Sequence, residues 1–127
     1  MYTFKKEERL CNKKLIDGLF HNGSSFLCYP FKVSWLVIDQ SGVYPAQIVF
    51  SVSKKRFKKA VDRNLIKRRM REAYRLNKQE FLYTALDNNA KKIVLSLGYV
   101  AKEIVSFELA AKKMQKLLVQ LSAEITK

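Results

Sequence analysis

The sequence predicts a single α/β domain in which helices pack against a four-stranded mixed sheet. A length of 127 residues suits one domain, and a hydrophobic content of 48% is enough for a buried core. Apolar residues alternate between helical and strand periodicity in the order α-β-β-β-α-β-α. Because one helix lies between two strands, part of the sheet is expected to be parallel. Since Pro and Gly are scattered and no repeat or linker divides the chain, residues 1–127 are expected to form one domain.

Each element has a local signal. A first helix is predicted from Asn12, which can cap it, to His21, before Asn22-Gly23. Aromatic and β-branched residues predict strands at Ser25–Tyr29, Phe31–Asp39, Ala46–Ser53 and Lys92–Leu97. A turn is expected at Asp39–Gly42, and a loop at Asp87–Asn89. The two longer helices are predicted at Lys59–Lys78 and Ser106–Glu124.

Positive charge dominates the composition. Lys and Arg total 25 against 11 acidic residues, which gives a net charge of +14. Such an excess destabilises a compact state by self-repulsion, so it indicates a polyanionic partner. No apolar run approaches the roughly 18 residues that span a bilayer, and the amino terminus MYTFKKEERL lacks the apolar core of a signal peptide. We therefore expect a cytoplasmic protein with no membrane partner.

Residues suited to metal binding or catalysis are sparse. Cys11 and Cys28 form no CxxC pair and His21 is the only histidine, so two reduced thiols are expected, with no zinc site and no cofactor held by the protein. One histidine and few carboxylates offer no acid–base pair, which disfavours an autonomous nuclease. The carboxylates of Glu7, Glu8 and Asp87 are expected to be solvated surface groups.

The segment from Lys54 to Arg75 concentrates the charge. Eleven cations face only Asp62 and Glu72, which gives this segment +9. The cations are Lys54, Lys55, Arg56, Lys58, Lys59, Arg63, Lys67, Arg68, Arg69, Arg71 and Arg75.

A helical projection divides this segment into two faces. The predicted core face holds Ile66, Met70, Ala73 and Tyr74. A continuous polar stripe holds Asn64, Lys67, Arg68, Arg71 and Arg75. Like charges four residues apart cost about 0.2–0.5 kcal/mol per pair, and a phosphate backbone would convert that repulsion into attraction. The pattern favours nucleic-acid binding over a merely solvated basic face, but it does not distinguish DNA from RNA.

The stretch SVSKKRFKKAVDRNLIKRRMREAYR, Ser51 to Arg75, closely resembles the signature of the bacterial ribonuclease P protein family. That signature joins a strand ending in Ser/Ala-Lys-Lys to a helix containing Ala-x-x-Arg-Asn-Arg-x-Lys-Arg-x-x-Arg-Glu. The matching residues are Lys54, Lys55, Ala60, Arg63, Asn64, Lys67, Arg68, Arg71 and Glu72. A looser resemblance extends from about Phe4 to Leu121. Three positions depart from the family pattern: Leu65 replaces the usual Arg, Arg69 stands where many members are apolar, and Ile16 stands where an aromatic is common.

The resemblance implies a compact sandwich similar to one domain of ribosomal protein S5, with a left-handed βαβ crossover. It also implies a partner, a catalytic RNA that removes the 5′ leader of precursor tRNA. The RNA is implied to bind the magnesium used in cleavage, and one protein is implied to bind each RNA. The basic helix and the loop before it are implied to contact the catalytic RNA, and which of their cations contact the substrate instead is left open. The predicted RNA-binding residues are Lys54, Lys55, Arg56, Lys58, Lys59, Arg63, Asn64, Lys67, Arg68, Arg71 and Arg75.

A cleft between the first helix and the sheet is implied to bind the leader. Phe20 matches the family's leader-contacting aromatic, while Phe31 and Trp35 offer further stacking surfaces and Lys32 offers charge. Phe31 and Trp35 share one side of a strand and Lys32 the other, so either aromatic could equally lie in the core. The rival hypothesis is a structural RNA-binding protein of similar fold, such as a ribosomal protein, which would explain the charge but not the register of the signature.

Overall fold

The computed structural model describes residues 4–38 and 45–126. Within them the chain forms four strands: β1 (Ser24–Cys28), β2 (Phe31–Ile38), β3 (Ala46–Val52) and β4 (Lys92–Tyr99). The turn predicted at Asp39–Gly42 lies outside the described residues, as does the last residue of the second predicted strand.

The sheet is mixed, as predicted. Its order is β1-β2-β4-β3, so β4 lies inside the sheet although it is the last strand of the sequence. β2 pairs antiparallel with both β1 and β4, whereas β3 and β4 are parallel. The hand of the crossover between β3 and β4 stays a prediction of the resemblance.

The helices are α1 (Lys13–Asn22), α2 (Ala60–Lys78), α3 (Thr84–Asn88) and α4 (Phe107–Ile125). The side chain of Asn12 caps α1 as expected, because its Oδ1 accepts the backbone N–H of Lys14 at 3.0 Å and of Leu15 at 3.2 Å. Ser106 caps α4 by accepting the N–H of Leu109 at 3.2 Å.

The loop predicted at Asp87–Asn89 is wrong for its first two residues. Helical structure continues beyond α2 through a π-helical turn, Gln79–Tyr83, into α3. Leu82 and Leu86, four residues apart, are fully buried in the core. Their burial outweighs the weak helix propensity of Asp87 and Asn88.

Both faces of the sheet are covered, but unequally. One face meets α2 and α4 and contains the main core, which includes Phe31, Val33, Ile48, Leu95, Leu97, Met70, Met114 and Leu117. On the other face α1 inserts Leu19 against Val94, with Leu36, Ile38 and Val49 around them. Because α1 is short, it covers only part of this second face.

The amino-terminal segment closes the β3 edge of the sheet. A 3₁₀ turn, Lys6–Glu8, precedes Leu10, whose N–H donates to the carbonyl of Ile48 at 2.9 Å. The expectation that Glu8 is a solvated surface group is wrong: its side chain is fully buried and pairs with Lys78. In the described part of the chain no helix is both long and apolar enough to cross a membrane.

Candidate nucleic-acid interface

The uncovered part of the second sheet face forms the floor of a cleft. Ser25, Ser34 and Ser96 are directly opposed across β1, β2 and β4, so three hydroxyls follow one another across the sheet. The adjacent row holds Lys32 on β2, Gly98 on β4 and Ser51 on β3. The same face is apolar where α1 covers it and polar where α1 leaves it open.

The cleft has a volume of about 880 Å³. Its lining consists of Leu19, Phe20, Gly23, Ser25, Lys32, Ser34, Ser51, Val52, Ser53, Lys55, Arg56, Ser96, Gly98, Tyr99 and Val100. Among the residues that the structure describes, the lining includes three cations, five serines and no carboxylate or histidine. Its charge and hydrogen-bonding groups therefore suit a flexible polyanion.

The end of α1 forms one wall of this cleft. Leu19 is buried against the sheet, and the next residue, Phe20, is 65% exposed at the cleft. Gly23 allows this close packing, since a Cβ there would lie 2.4 Å from the carbonyl oxygen of Leu19 and 2.9 Å from that of Trp35. Leu19 and Gly23 thus hold the ring of Phe20 beside the floor without burying it.

The structure separates the four residues predicted for the cleft: two line it, and two lie on the core face of β2. Phe20 and Lys32 line the cleft, and their contact with a leader stays a prediction. The prediction is wrong for Phe31, which is fully buried and packs against Tyr99 with ring centroids 6.1 Å apart. It is also wrong for Trp35, which lies on the same core face and packs against Phe26 with centroids 5.7 Å apart.

Sequence reasoning missed the serine floor. Its signal was present, because Ser51 and Ser53 alternate at the end of β3, and Ser96 and Gly98 alternate on β4. Such alternation marks one face of a strand. It does not show that three strands bring their polar positions together, since that depends on the strand order.

The loop before α2 continues the cleft into the basic helix. Ser53 Oγ accepts the backbone N–H of Lys55 at 3.2 Å and of Arg56 at 3.4 Å, which turns the chain at the end of β3. Phe57 then inserts into the core and packs against Tyr99, with ring centroids 5.8 Å apart. The lysines and Arg56 on either side of this anchor are exposed.

Helix α2 has the two faces expected from its sequence. Its predicted core residues, Ile66, Met70, Ala73 and Tyr74, are all buried. In the predicted stripe Asn64, Arg68 and Arg71 are exposed, while Lys67 and Arg75 are half-buried. A ladder of cations therefore runs along the surface of the helix.

Some arginines of the basic segment bind the protein itself. Arg63 Nη1 donates to the carbonyls of Phe57 at 2.7 Å and Lys58 at 2.9 Å. Arg56 Nη1 donates to the carbonyl of Val100, and Arg69 Nη1 donates to that of Val105 at 2.6 Å. A guanidinium has five N–H donors, so these bonds leave others for a ligand. The sequence set Arg69 apart, because it lies outside the polar stripe and stands where many family members are apolar, but it carried no signal that distinguished Arg56 or Arg63 from their neighbours.

Arg75 also has a partner within the helix. Its guanidinium forms an ion pair with Glu72 three residues earlier, and this contact lowers the pKa of Glu72 below its ordinary value. Among the described residues no group of three or more His, Cys, Asp or Glu could hold a metal ion. The chemistry that this surface offers is recognition of a polyanion.

The chain is similar to known proteins in both sequence and structure. The family model described as ribonuclease P matches residues 4–122. The ribonuclease P protein component of Porphyromonas gingivalis is 33% identical over 124 residues, which cover 98% of this chain and 90% of that protein. The corresponding protein of Chlorobium phaeobacteroides is 35% identical over 126 residues, covering 91% and 86%. The structure is similar to the ribonuclease P protein of Thermotoga maritima, with a TM-score of 0.69 and 25% identity over 89% of this chain and 96% of that one.

Proposed function

The chain belongs to the bacterial ribonuclease P protein family, and from that premise we propose that it binds a catalytic RNA and the 5′ leader of precursor tRNA during leader removal. The observation that most directly supports binding of two RNA ligands is that the two cationic surfaces are continuous. Lys55 and Arg56 line the cleft and also belong to the loop that begins the basic helix. One protein can thereby contact two RNA molecules at once.

The exposed cations of the pre-helix loop and α2 are assigned to the catalytic RNA. Lys54, Lys55, Lys58, Lys59, Arg68 and Arg71 are all exposed. An RNA helix displays phosphates that lysine and arginine neutralise, and forked guanidinium groups bind phosphate oxygens in pairs. These six cations are therefore suited to a phosphate backbone, which they can bind without reading its base sequence.

The cleft is assigned to the single-stranded leader. Single strands bind through base stacking on aromatic rings and through backbone charge. Phe20 supplies an exposed ring and Lys32 supplies charge on the adjacent floor. Serine hydroxyls both donate and accept hydrogen bonds, so the floor of Ser34 and Ser96 can contact sugar hydroxyls, phosphates or base edges.

The hydrolytic step is assigned to the RNA subunit and to magnesium that the RNA binds. No residue of this chain is given a catalytic role, since the described part of the cleft lining contains neither a carboxylate nor a histidine. The protein contributes affinity for the leader and orients the substrate on the catalytic RNA. We propose that the assembly contains one protein per RNA and works in the cytoplasm.

Reconstitution tests the proposal. Precursor tRNA cleavage is measured at low magnesium with the catalytic RNA alone, the protein alone and the two combined. The combination should cleave faster than the RNA alone, and the protein alone should be inactive. Cleavage by the protein alone would indicate an autonomous nuclease, and RNA binding without any stimulation would favour a structural RNA-binding protein. The double variant Arg68→Ala/Arg71→Ala is the matched control, because it should require more protein for the same stimulation.

A further inference from the structure

Three arginines of the basic segment form hydrogen bonds that join α2, the loop before it and the segment after β4. Arg63 ties α2 to the loop before it, and Arg56 ties that loop to Val100 at the end of β4. Arg69 ties α2 to Val105, five residues further along. We call Arg56, Arg63 and Arg69 the arginine brace. The brace holds the segment 100–105, which connects β4 to α4, at both of its ends.

Further hydrogen bonds hold the segment 100–105 in place. Tyr99 Oη donates to the carbonyl of Glu103 at 2.6 Å and accepts the N–H of Val105 at 3.0 Å. Val100 N donates to the carbonyl of Pro30 at 2.8 Å. Val100, the first residue of this segment, lines the cleft next to Tyr99 at the end of β4, so the segment begins at one wall of the cleft.

Arg69 differs from the neighbouring cations in its surroundings. Its side chain is half-buried beside Ile66, Ile104 and Ala110, whereas the adjacent Arg68 is exposed. A guanidinium in such surroundings requires an acceptor, and the carbonyl of Val105 provides one. Arg69 therefore faces the segment 100–105, and Arg68 faces the surface.

We propose that Arg69 is a positioning residue for the cleft: it acts on leader binding by fixing the segment 100–105, without contacting RNA. This inference rests on the proposed function, because it takes the cleft as the leader site. It gives adjacent residues of one helix different roles. Arg68 binds the catalytic RNA, while Arg69 shapes the site for the substrate.

The test measures dissociation constants of precursor and mature tRNA for the complex of protein and catalytic RNA. Arg69→Met keeps the length of the side chain but removes its donors. It should weaken precursor binding by about 3- to 10-fold, the effect of one lost hydrogen bond, and leave mature tRNA binding unchanged. Both tRNAs titrate the same folded complex, so a purely structural loss of folded protein would not change the ratio of the two constants.

Arg68→Met is the matched control. It should weaken assembly with the catalytic RNA and, once assembly is saturated, leave the ratio of precursor to mature tRNA affinity unchanged. Arg69→Met should show the reverse pattern. If it instead weakens assembly as Arg68→Met does, Arg69 contacts the catalytic RNA and the inference is overturned.

Two further variants make the test independent of the stability of Arg69→Met. Arg69→Lys retains a donor and should restore much of the precursor preference, while Tyr99→Phe removes the internal fastening of the segment and should reduce it. An unchanged ratio of precursor to mature tRNA affinity in Arg69→Met overturns the role of Arg69. If Arg69→Met does not fold, an unchanged ratio in Tyr99→Phe overturns it. A wild-type complex that binds precursor and mature tRNA equally would overturn the proposed leader site itself.

Discussion

The ammonium of Lys78 forms an ion pair with the carboxylate of Glu8, which lies 70 residues earlier in the chain, and both side chains are almost completely buried. The same carboxylate accepts hydrogen bonds from the hydroxyl of Tyr83 at 2.5 Å and from the backbone N–H of Lys5 at 2.6 Å. The ammonium also lies 5.4 Å from the ring centroid of Phe4. This cluster fastens the amino-terminal turn to the end of α2.

The first prediction concerns the charge balance of this pair. Glu8→Gln keeps the shape of the side chain but leaves the ammonium of Lys78 buried without its counter-charge. We expect the free energy of unfolding, measured in urea, to fall by about 3–5 kcal/mol. The double variant Glu8→Gln/Lys78→Met should recover a large part of that loss. A double variant as unstable as Glu8→Gln would show that the pair is not the cause.

The second prediction concerns pH. Burial alone raises the pKa of Glu8, but hydrogen bonds from Lys78, Tyr83 and Lys5 outweigh it and hold the pKa below its ordinary value of 4.5. A carboxyl group whose pKa is lower in the folded state contributes stability above the unfolded pKa and loses it as pH falls through the folded value. The free energy of unfolding should therefore decrease as pH falls below about 5. The decrease should be smaller in Glu8→Gln/Lys78→Met, and equal slopes would contradict the assignment.

The third prediction separates two kinds of arginine on α2. Arg68→Ala and Arg71→Ala should each weaken binding to the catalytic RNA by roughly 1–3 kcal/mol and leave the melting temperature nearly unchanged. Arg63→Ala should also lower the unfolding free energy, because it removes two hydrogen bonds to the loop before the helix. Filter binding and thermal melts of the three variants provide the comparison. Wild-type RNA affinity in all three would exclude this segment as the RNA contact.

The fourth prediction uses salt. Six cations of the pre-helix loop and α2 are exposed beyond those of the arginine brace: Lys54, Lys55, Lys58, Lys59, Arg68 and Arg71. If they neutralise six phosphates, log affinity for the catalytic RNA should fall against log salt with a slope of roughly −4 to −5. Arg68→Ala should make the slope shallower by about one unit or slightly less. A slope near zero in the wild type would be inconsistent with electrostatic binding.

The fifth prediction compares two phenylalanines. Phe20 is 65% exposed in the cleft wall, so Phe20→Ala should cost roughly 1–3 kcal/mol of precursor tRNA binding through lost stacking, with a nearly unchanged melting temperature. Affinity for mature tRNA and for the catalytic RNA alone should not change. Phe31→Ala is the core counterpart and should lower the unfolding free energy by roughly 3–5 kcal/mol. Equal loss of precursor and mature tRNA binding in Phe20→Ala would exclude the leader assignment.

Features that depend on local spacing were predictable from the sequence. The cap at Asn12, the core face of α2 and the exposed positions Arg68 and Arg71 all follow from helical periodicity and side-chain chemistry. The parallel part of the sheet follows from the order of the elements, because adjacent parallel strands need a long connection such as a helix.

Features that depend on which surfaces meet were not predictable. Alternation along β2 places Phe31 with Trp35 and Lys32 with Ser34, but it does not show which side faces α2 and α4, since both sides of the sheet are partly covered. The sequence by itself therefore determined the four strands, the three longer helices, the basic stripe and the family, but not the helical continuation from Gln79 to Asn88. Only the tertiary structure decided that Lys32 lines the cleft, that Glu8 is buried beside Lys78, and that Arg69 binds a carbonyl. Each of these contacts joins residues distant in the chain, and the partner of a side chain across such a distance is set by packing and not by local sequence.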